Sequence, residues 1–208
     1  MDDVRKYLSE ISAVQLSDGF IFESLELGIL PHAHMKYPGY SVSVMAKLSN
    51  TKTKVFIDIG VGDAVKPTEI TMQLLSTEKA PLFEKDIHLW AYPIEAIFAE
   101  KLETAVSRAD QNSRMKDYHD LLVLIREKAV DIAKLRSATT ETFRNRGTEL
   151  QKISFADDQY SLIQNNWTQY LRALSPEARG NLNAEFSGVV GEINSFLQNQ
   201  NLLVTPKK

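Results

Sequence analysis

From Ile94 to Arg146 the chain runs without a glycine or a proline, while five of its seven prolines fall between Pro31 and Pro93. Glycine and proline are the strongest local interrupters of regular structure. A chain divided in this way reads as strands and turns followed by long helices. Its 208 residues suffice for one domain, or for a small domain with an appendage. Apolar residues at 43% and charged residues at 25% argue against wholesale disorder. There is no cysteine, so disulfides, thiolate zinc sites and cysteine nucleophiles are excluded. With 24 basic and 27 acidic residues the net charge is −3. A general nucleic-acid coat is basic, so a nucleic-acid partner here must be met by a local patch. The start, Met1-Asp2-Asp3, has neither a basic nor an apolar leader region, and the longest strongly apolar run, Leu121 to Ile125, is too short to cross a bilayer. The expectation is a soluble, cytoplasmic protein without a membrane partner.

Val4, Tyr7, Leu8 and Ile11 recur at helical spacing, which predicts a helix over 2–12 with Asp2 and Asp3 at its positive end. Asp18-Gly19 signals a turn, and Phe20 to Leu27 reads as a strand. Residues 40–48 alternate strictly, with Tyr40, Val42, Val44, Ala46 and Leu48 on one face. Ser49-Asn50-Thr51 is a turn, and Lys54 to Ile59 is apolar on both faces except for Asp58. These two strands are expected to pair as an antiparallel hairpin in the middle of a sheet. Ile70 to Leu75 and Ile87 to Ala91 are further short strands. Pro93 suits the first turn of a helix that carries Ile94, Ile97, Phe98, Leu102 and Ala105 on one face. Helices are then expected over 116–127, 131–145, 157–174 and 177–200. Phe143, Phe155, Trp167, Tyr170 and Phe186 are their core aromatics.

Three places are chemically unusual. Asp58 interrupts an apolar strand, where an ionised carboxylate is costly unless it is paired or bound to a metal. The competing reading is a strand-end Asp that caps the Gly60–Gly62 turn or pairs with a cation. Lys101 continues the apolar row of Ile94 and Ile97, which sets its ammonium at the rim of the core. It is either a fixed cation for a phosphate or carboxylate, or a snorkelling lysine. Arg108, Arg114 and Lys116 then meet Asp117 and Asp120 at a helix–helix junction that would suit an anionic ligand. The alternative is a solvated ion-pair cluster at a helix start. Other constellations fail. There is no phosphate-binding Gly-x-x-x-x-Gly-Lys-Ser/Thr loop and no Gly-x-Ser-x-Gly elbow, and no acidic residue is followed two positions later by Lys. His32 and His34 form a loop pair without a zinc-binding helix. His119 beside Asp120 is no ready base, because adjacent helix residues point apart.

Three segments, in order, resemble one family. Val55-Phe56-Ile57-Asp58-Ile59-Gly60-Val61-Gly62-Asp63 with Val65-Lys66-Pro67 resembles the strand and turn of AbiEii-type nucleotidyltransferases. Tyr92-Pro93-Ile94-Glu95, followed by Ile97-Phe98-Ala99-Glu100-Lys101-Leu102-Glu103, is similar to that family's lysine-bearing helix. Arg114-Met115-Lys116-Asp117-Tyr118-His119-Asp120-Leu121 is similar to its closing Arg-x-Lys-Asp-x-x-Asp-Leu motif. The resemblance implies an α+β, nucleotidyltransferase-like (polymerase-beta-like) fold. Residues 1–92 would be the remainder of a mixed-sheet domain, and residues 93–208 a helical half. It also implies the toxin half of a toxin–antitoxin or abortive-infection pair, with a cognate antitoxin as partner. Its chemistry would be magnesium-dependent transfer of a nucleotide from a nucleoside triphosphate to an RNA acceptor. On the matching positions Asp58 would be catalytic and metal-facing, Lys101 would bind the triphosphate, and Asp117 would be the last motif's catalytic acid. Arg108, Arg114, Lys116, Asp120 and Asp63 would line the substrate site.

One departure matters. The family opens on Gly-Ser or Gly-Gly and then a strand bearing Asp-x-Asp, whose carboxylates hold the metal ions. These 208 residues contain no Gly-Ser, no Gly-Gly and no Asp-x-Asp. The expectation is a truncated or mis-started chain, a decayed gene, or half of a split protein. It would transfer nucleotides poorly, unless Asp63 or the Glu84–Asp86 pair supplies ligands, and would have an open sheet edge prone to self-association. Two rival readings stand beside it: a non-catalytic interaction module, and a nucleotidyltransferase that acts on a small molecule.

Overall fold

The computed structural model describes residues 2–16, 18–30, 39–61, 65–73, 86–109 and 112–203. Asp63, His32, His34 and Glu84 lie outside the described residues. The α+β class expected from the sequence holds. The chain forms two compact units, Met1–Asp63 and Ala64–Lys208.

The first unit contains α1 (Asp2–Ser12), β1 (Phe20–Leu30), β2 (Gly39–Leu48) and β3 (Thr51–Ile59). Its three strands form one antiparallel ladder in the order β1-β2-β3. Leu48 pairs with Thr51, so Ser49 and Asn50 make a two-residue hairpin loop, and Ser49 takes the left-handed φ of 52° that such loops demand. Alternation along β2 buries Val42, Val44 and Ala46 as its pattern requires. The hairpin forms as expected, but its position does not. Among the described residues β3 pairs with β2 alone and is an edge strand, and every residue from Thr51 to Asp58 is exposed. An apolar run on both faces was read as burial; here it is an uncovered edge. Asp58 is therefore a solvent-facing carboxylate opposite Ser41, and the desolvation argument for it falls. Beside it Lys54 pairs with Glu26 at 3.1 Å, and the Ser43 hydroxyl donates to the same carboxylate at 2.9 Å. No residue of α1 is buried.

The second unit contains β4 (Thr68–Met72) and β5 (Ile87–Ala91), an antiparallel pair, and then α2 (Ile94–Arg108), α3 (Met115–Arg126) and α4 (Ile132–Arg146). It ends with α5 (Tyr160–Ala173), a single turn α6 (Pro176–Arg179) and α7 (Phe186–Asn199). β5 runs into α2 through Tyr92 and Pro93 alone. The Tyr92 hydroxyl also donates to Glu100 on α2. Helix α2 packs on α3 and α4, and α3 on α5 and α7. Phe98, Leu102, Tyr118, Leu122, Trp167 and Phe186 are fully buried at the centre. Helix α4 is bounded by Asp131, whose carboxylate accepts from the Lys134 N–H at 3.0 Å, and by Gly147 in the left-handed conformation at φ 68°.

The helix expected over 177–200 is two helices. Gly180 turns the chain at φ 43°, and the residues beyond it bond in part to α5. The Trp167 indole donates to the Asn183 carbonyl at 2.8 Å, and the Gln164 side chain accepts from the Phe186 N–H at 2.8 Å. Among the described residues no helix is long and apolar enough to cross a membrane.

Candidate functional site

Helix α2 buries Phe98, Ala99, Leu102, Ala105 and Val106, which leaves Lys101 at the edge of that face. Helix α3 is seated by Met115, Tyr118, Leu121 and Leu122. Its start is fixed by buried Asn112, whose side chain accepts from the Arg114 N–H at 2.9 Å and donates to the Tyr118 hydroxyl at 3.2 Å. Asp117 and Asp120 are three positions apart, so both carboxylates lie on one helix face. That face meets Lys101.

The Lys101 Nζ lies 2.7 Å from Asp117 Oδ1 and 2.8 Å from Asp120 Oδ2. The Lys116 ammonium donates to both oxygens of the same Asp120 carboxylate, at 3.0 and 2.7 Å. The side chains of Lys101, Asp117 and Asp120 are 22%, 13% and 27% exposed, so the network is sheltered but open to solvent on one side. Two ammonium groups face two carboxylates, and the quartet is formally neutral. Burial pulls the Lys101 ammonium toward deprotonation, but the hydrogen bonds it donates to Asp117 and Asp120 outweigh it, and its pKa rises above 10.5. Burial pushes the Asp120 carboxyl up, while the bonds from Lys101 and Lys116 hold it below 3.8.

Next to the quartet, His119 turns the other way. Its Nδ1 lies 2.8 Å from the Tyr170 hydroxyl of α5, and the two rings meet edge to face. Burial depresses the His119 pKa below 6.5, assisted by the charges of Lys116 and Arg126 and opposed by Asp120. The imidazole also lines a groove of about 260 Å³ with Arg126, Arg179 and Glu177. Arg126 is held there by a two-point pair with Glu192, at 2.8 and 2.7 Å.

The structure thus unites Lys101, Lys116, Asp117 and Asp120. Arg108 at the end of α2 and Arg114 at the cap of α3 are exposed, and among the described residues neither makes an ion pair. Asp58 stands on β3 in the first unit. Sequence reasoning missed two features. One is the His119–Tyr170 contact, for which residues 51 apart leave no local signal. The other is buried Glu103, held by Arg146 at 2.8 Å and by the Thr148 hydroxyl. Here a signal exists, since Glu103 shares the row of Ala99 and Val106. No group of three or more His, Asp or Glu among the described residues is arranged to hold a metal ion.

A family model described as "Nucleotidyl transferase AbiEii toxin, Type IV TA system" matches residues 1–188. No curated protein matches the chain.

Proposed function

Since the chain belongs to the family of AbiEii nucleotidyl transferase toxins of type IV toxin–antitoxin systems, we propose that the Lys101 site takes the triphosphate of a nucleoside triphosphate for transfer of the nucleotide to RNA. In that reaction an RNA hydroxyl oxygen forms a bond to the alpha phosphorus, and pyrophosphate leaves. The observation that carries the reading is the Lys101 ammonium, gripped at 2.7 and 2.8 Å by Asp117 and Asp120 on a half-open face. An ammonium has three donors, so one remains for a phosphate oxygen after those two bonds. The carboxylates keep the lysine charged and aimed, which is the preorganisation that anion recognition needs. Arg108 and Arg114 flank the α2–α3 connection and would supply further positive charge to phosphates or to an RNA backbone. Asp117 and Asp120 act here as positioning residues for the lysine.

The described residues do not make a magnesium clamp. Asp117 and Asp120 are committed to lysines, and Asp58 is one exposed carboxylate. Magnesium dependence is what the family chemistry asks for. A second reading, a non-catalytic family member that binds a partner such as a cognate antitoxin, is favoured by the engagement of Asp117 and Asp120 with lysines, which leaves no cluster of metal-ligating carboxylates among the described residues.

Thermal unfolding with each nucleoside triphosphate, with and without magnesium, tests the site. Saturation at about a hundredfold excess over Kd should add about 2.7 kcal/mol of stability to the parent chain, and nothing to Lys101→Met. No shift in the parent chain refutes nucleotide binding. Labelled nucleotides with total RNA then separate the readings: Lys101-dependent label in RNA supports transfer, and binding without label supports the partner-binding module.

A further inference from the structure

β3 carries Val55, Phe56 and Ile57 in succession, exposed at 36%, 73% and 42%. Its inner side is bonded to β2 along the whole strand, and among the described residues nothing pairs with its outer side. A long exposed apolar edge is a template for another strand, and such edges are usually blunted by charge or covered. Here the charges fall so that they do not blunt it. Lys54 and Asp58 stand two residues to either side of Phe56. A two-fold axis perpendicular to the sheet and passing beside Phe56 pairs the strand with itself antiparallel, residue 54 opposite 58, 55 opposite 57, and 56 opposite 56. Directly opposed residues share a face and interact. That register sets Lys54 against Asp58 twice, Val55 against Ile57 twice, and the Phe56 rings against each other.

We propose that the outer edge of β3 docks a second copy of this chain in that register. The result is a continuous six-stranded antiparallel ladder about the two-fold axis, with the order of the first three strands mirrored in the second copy. Registers centred on residue 54 or 58 would oppose lysine to lysine or aspartate to aspartate, and the one centred on 55, which sets Lys52 against Asp58, would leave Lys54 opposite Phe56, so charge and apolar matching together favour the register centred on Phe56. Lys54 can serve both Glu26 of its own sheet and the incoming carboxylate, because an ammonium has three donors. A symmetric closed pair consumes the β3 edge, so this contact does not itself propagate beyond two copies. The proposal goes beyond the nucleotidyl-transfer reading and does not depend on it.

The chain has no cysteine, so a single introduced thiol is unambiguous. Phe56→Cys replaces an exposed side chain and puts one thiol beside its own symmetry mate. Under mild oxidation it should give a covalent dimer in high yield, while Ile21→Cys, exposed on β1, should not. Sedimentation equilibrium of the full chain should show monomer and dimer. Lys54→Glu and Asp58→Lys should each weaken the dimer by about tenfold, from two attractive pairs turned repulsive, and the double exchange should restore it. A parent chain that stays monomeric at all concentrations overturns the proposal. So does a dimer that is indifferent to both charge reversals, or one that Phe56→Cys fails to crosslink. Circular dichroism of each variant verifies that the fold is intact.

Discussion

Replacing Lys101 by Met removes the charge at the centre of the α2–α3 network and keeps most of the side-chain volume. The parent lysine makes two charge-assisted hydrogen bonds, at 2.7 Å to Asp117 and 2.8 Å to Asp120. Such bonds contribute about 1.5–3 kcal/mol each when sheltered and about 0–1 kcal/mol at an open surface. Exposures of 13% to 27% put these between the limits, at about 1 kcal/mol each. Without the ammonium, Asp117 and Asp120 also face one another as like charges, and Lys116 satisfies only Asp120. The expected loss is about 2–3 kcal/mol, read by urea unfolding followed by far-ultraviolet circular dichroism. Adding Asp117→Asn and Asp120→Asn to Lys101→Met removes the stranded charges and should recover most of that loss. The logic is that unpaired partners cost more than absent ones. A loss below about 0.5 kcal/mol in Lys101→Met, or a triple variant no more stable than the single, would refute the network as described.

Three further outcomes follow. His119 has its folded pKa depressed below 6.5 by burial, so the unfolded chain binds the extra proton first; its contribution to stability is present above 6.5 and is lost as pH falls through the folded value. Unfolding free energy should therefore decline on acidification from pH 7, and His119→Gln should flatten that slope. Phe186→Ala empties the middle of the aromatic cluster and should cost about 3–5 kcal/mol by the same urea assay. Gly147→Ala should cost about 1 kcal/mol although nothing lies within reach of the added methyl, because only the left-handed backbone opposes it; Gly147→Asn should cost less.

Helical periodicity made α2 legible, and with it Lys101 at the rim of the core. What it could not supply was the partner. The sequence groups the carboxylates of Asp117 and Asp120 with Arg108, Arg114 and Lys116, whereas the fold delivers both to Lys101 on the preceding helix and keeps only Lys116 of that group, on Asp120. Buried Glu95 illustrates the same limit. Its carboxylate accepts from the Asp131 N–H at 2.9 Å, and no local pattern predicts that a helix cap far along the chain will satisfy it. β3 failed differently. Its composition is that of a central strand, and composition does not say whether a neighbour arrives. The break at Gly180 was hidden because the hydrogen bonds that replace the helix come from Gln164 and Trp167. The family motifs were legible because each is a short run of neighbouring residues, and the family match spans residues 1–188.

The stacking of Trp167 on Tyr170, at 5.5 Å and 30°, gives the molecule an optical readout of its own. Only two tryptophans are present. Trp90 is 69% exposed and emits as a hydrated indole open to iodide, whereas Trp167 is fully buried and inaccessible to that quencher. With the Trp90 signal quenched, the remaining blue-shifted emission belongs to an indole one ring away from the hydroxyl that meets His119. Protonation of the imidazole, or any ligand that turns it, changes the electric field across that stack. The emission of Trp167 then reports events beside the Lys101 network without a label attached anywhere on the chain.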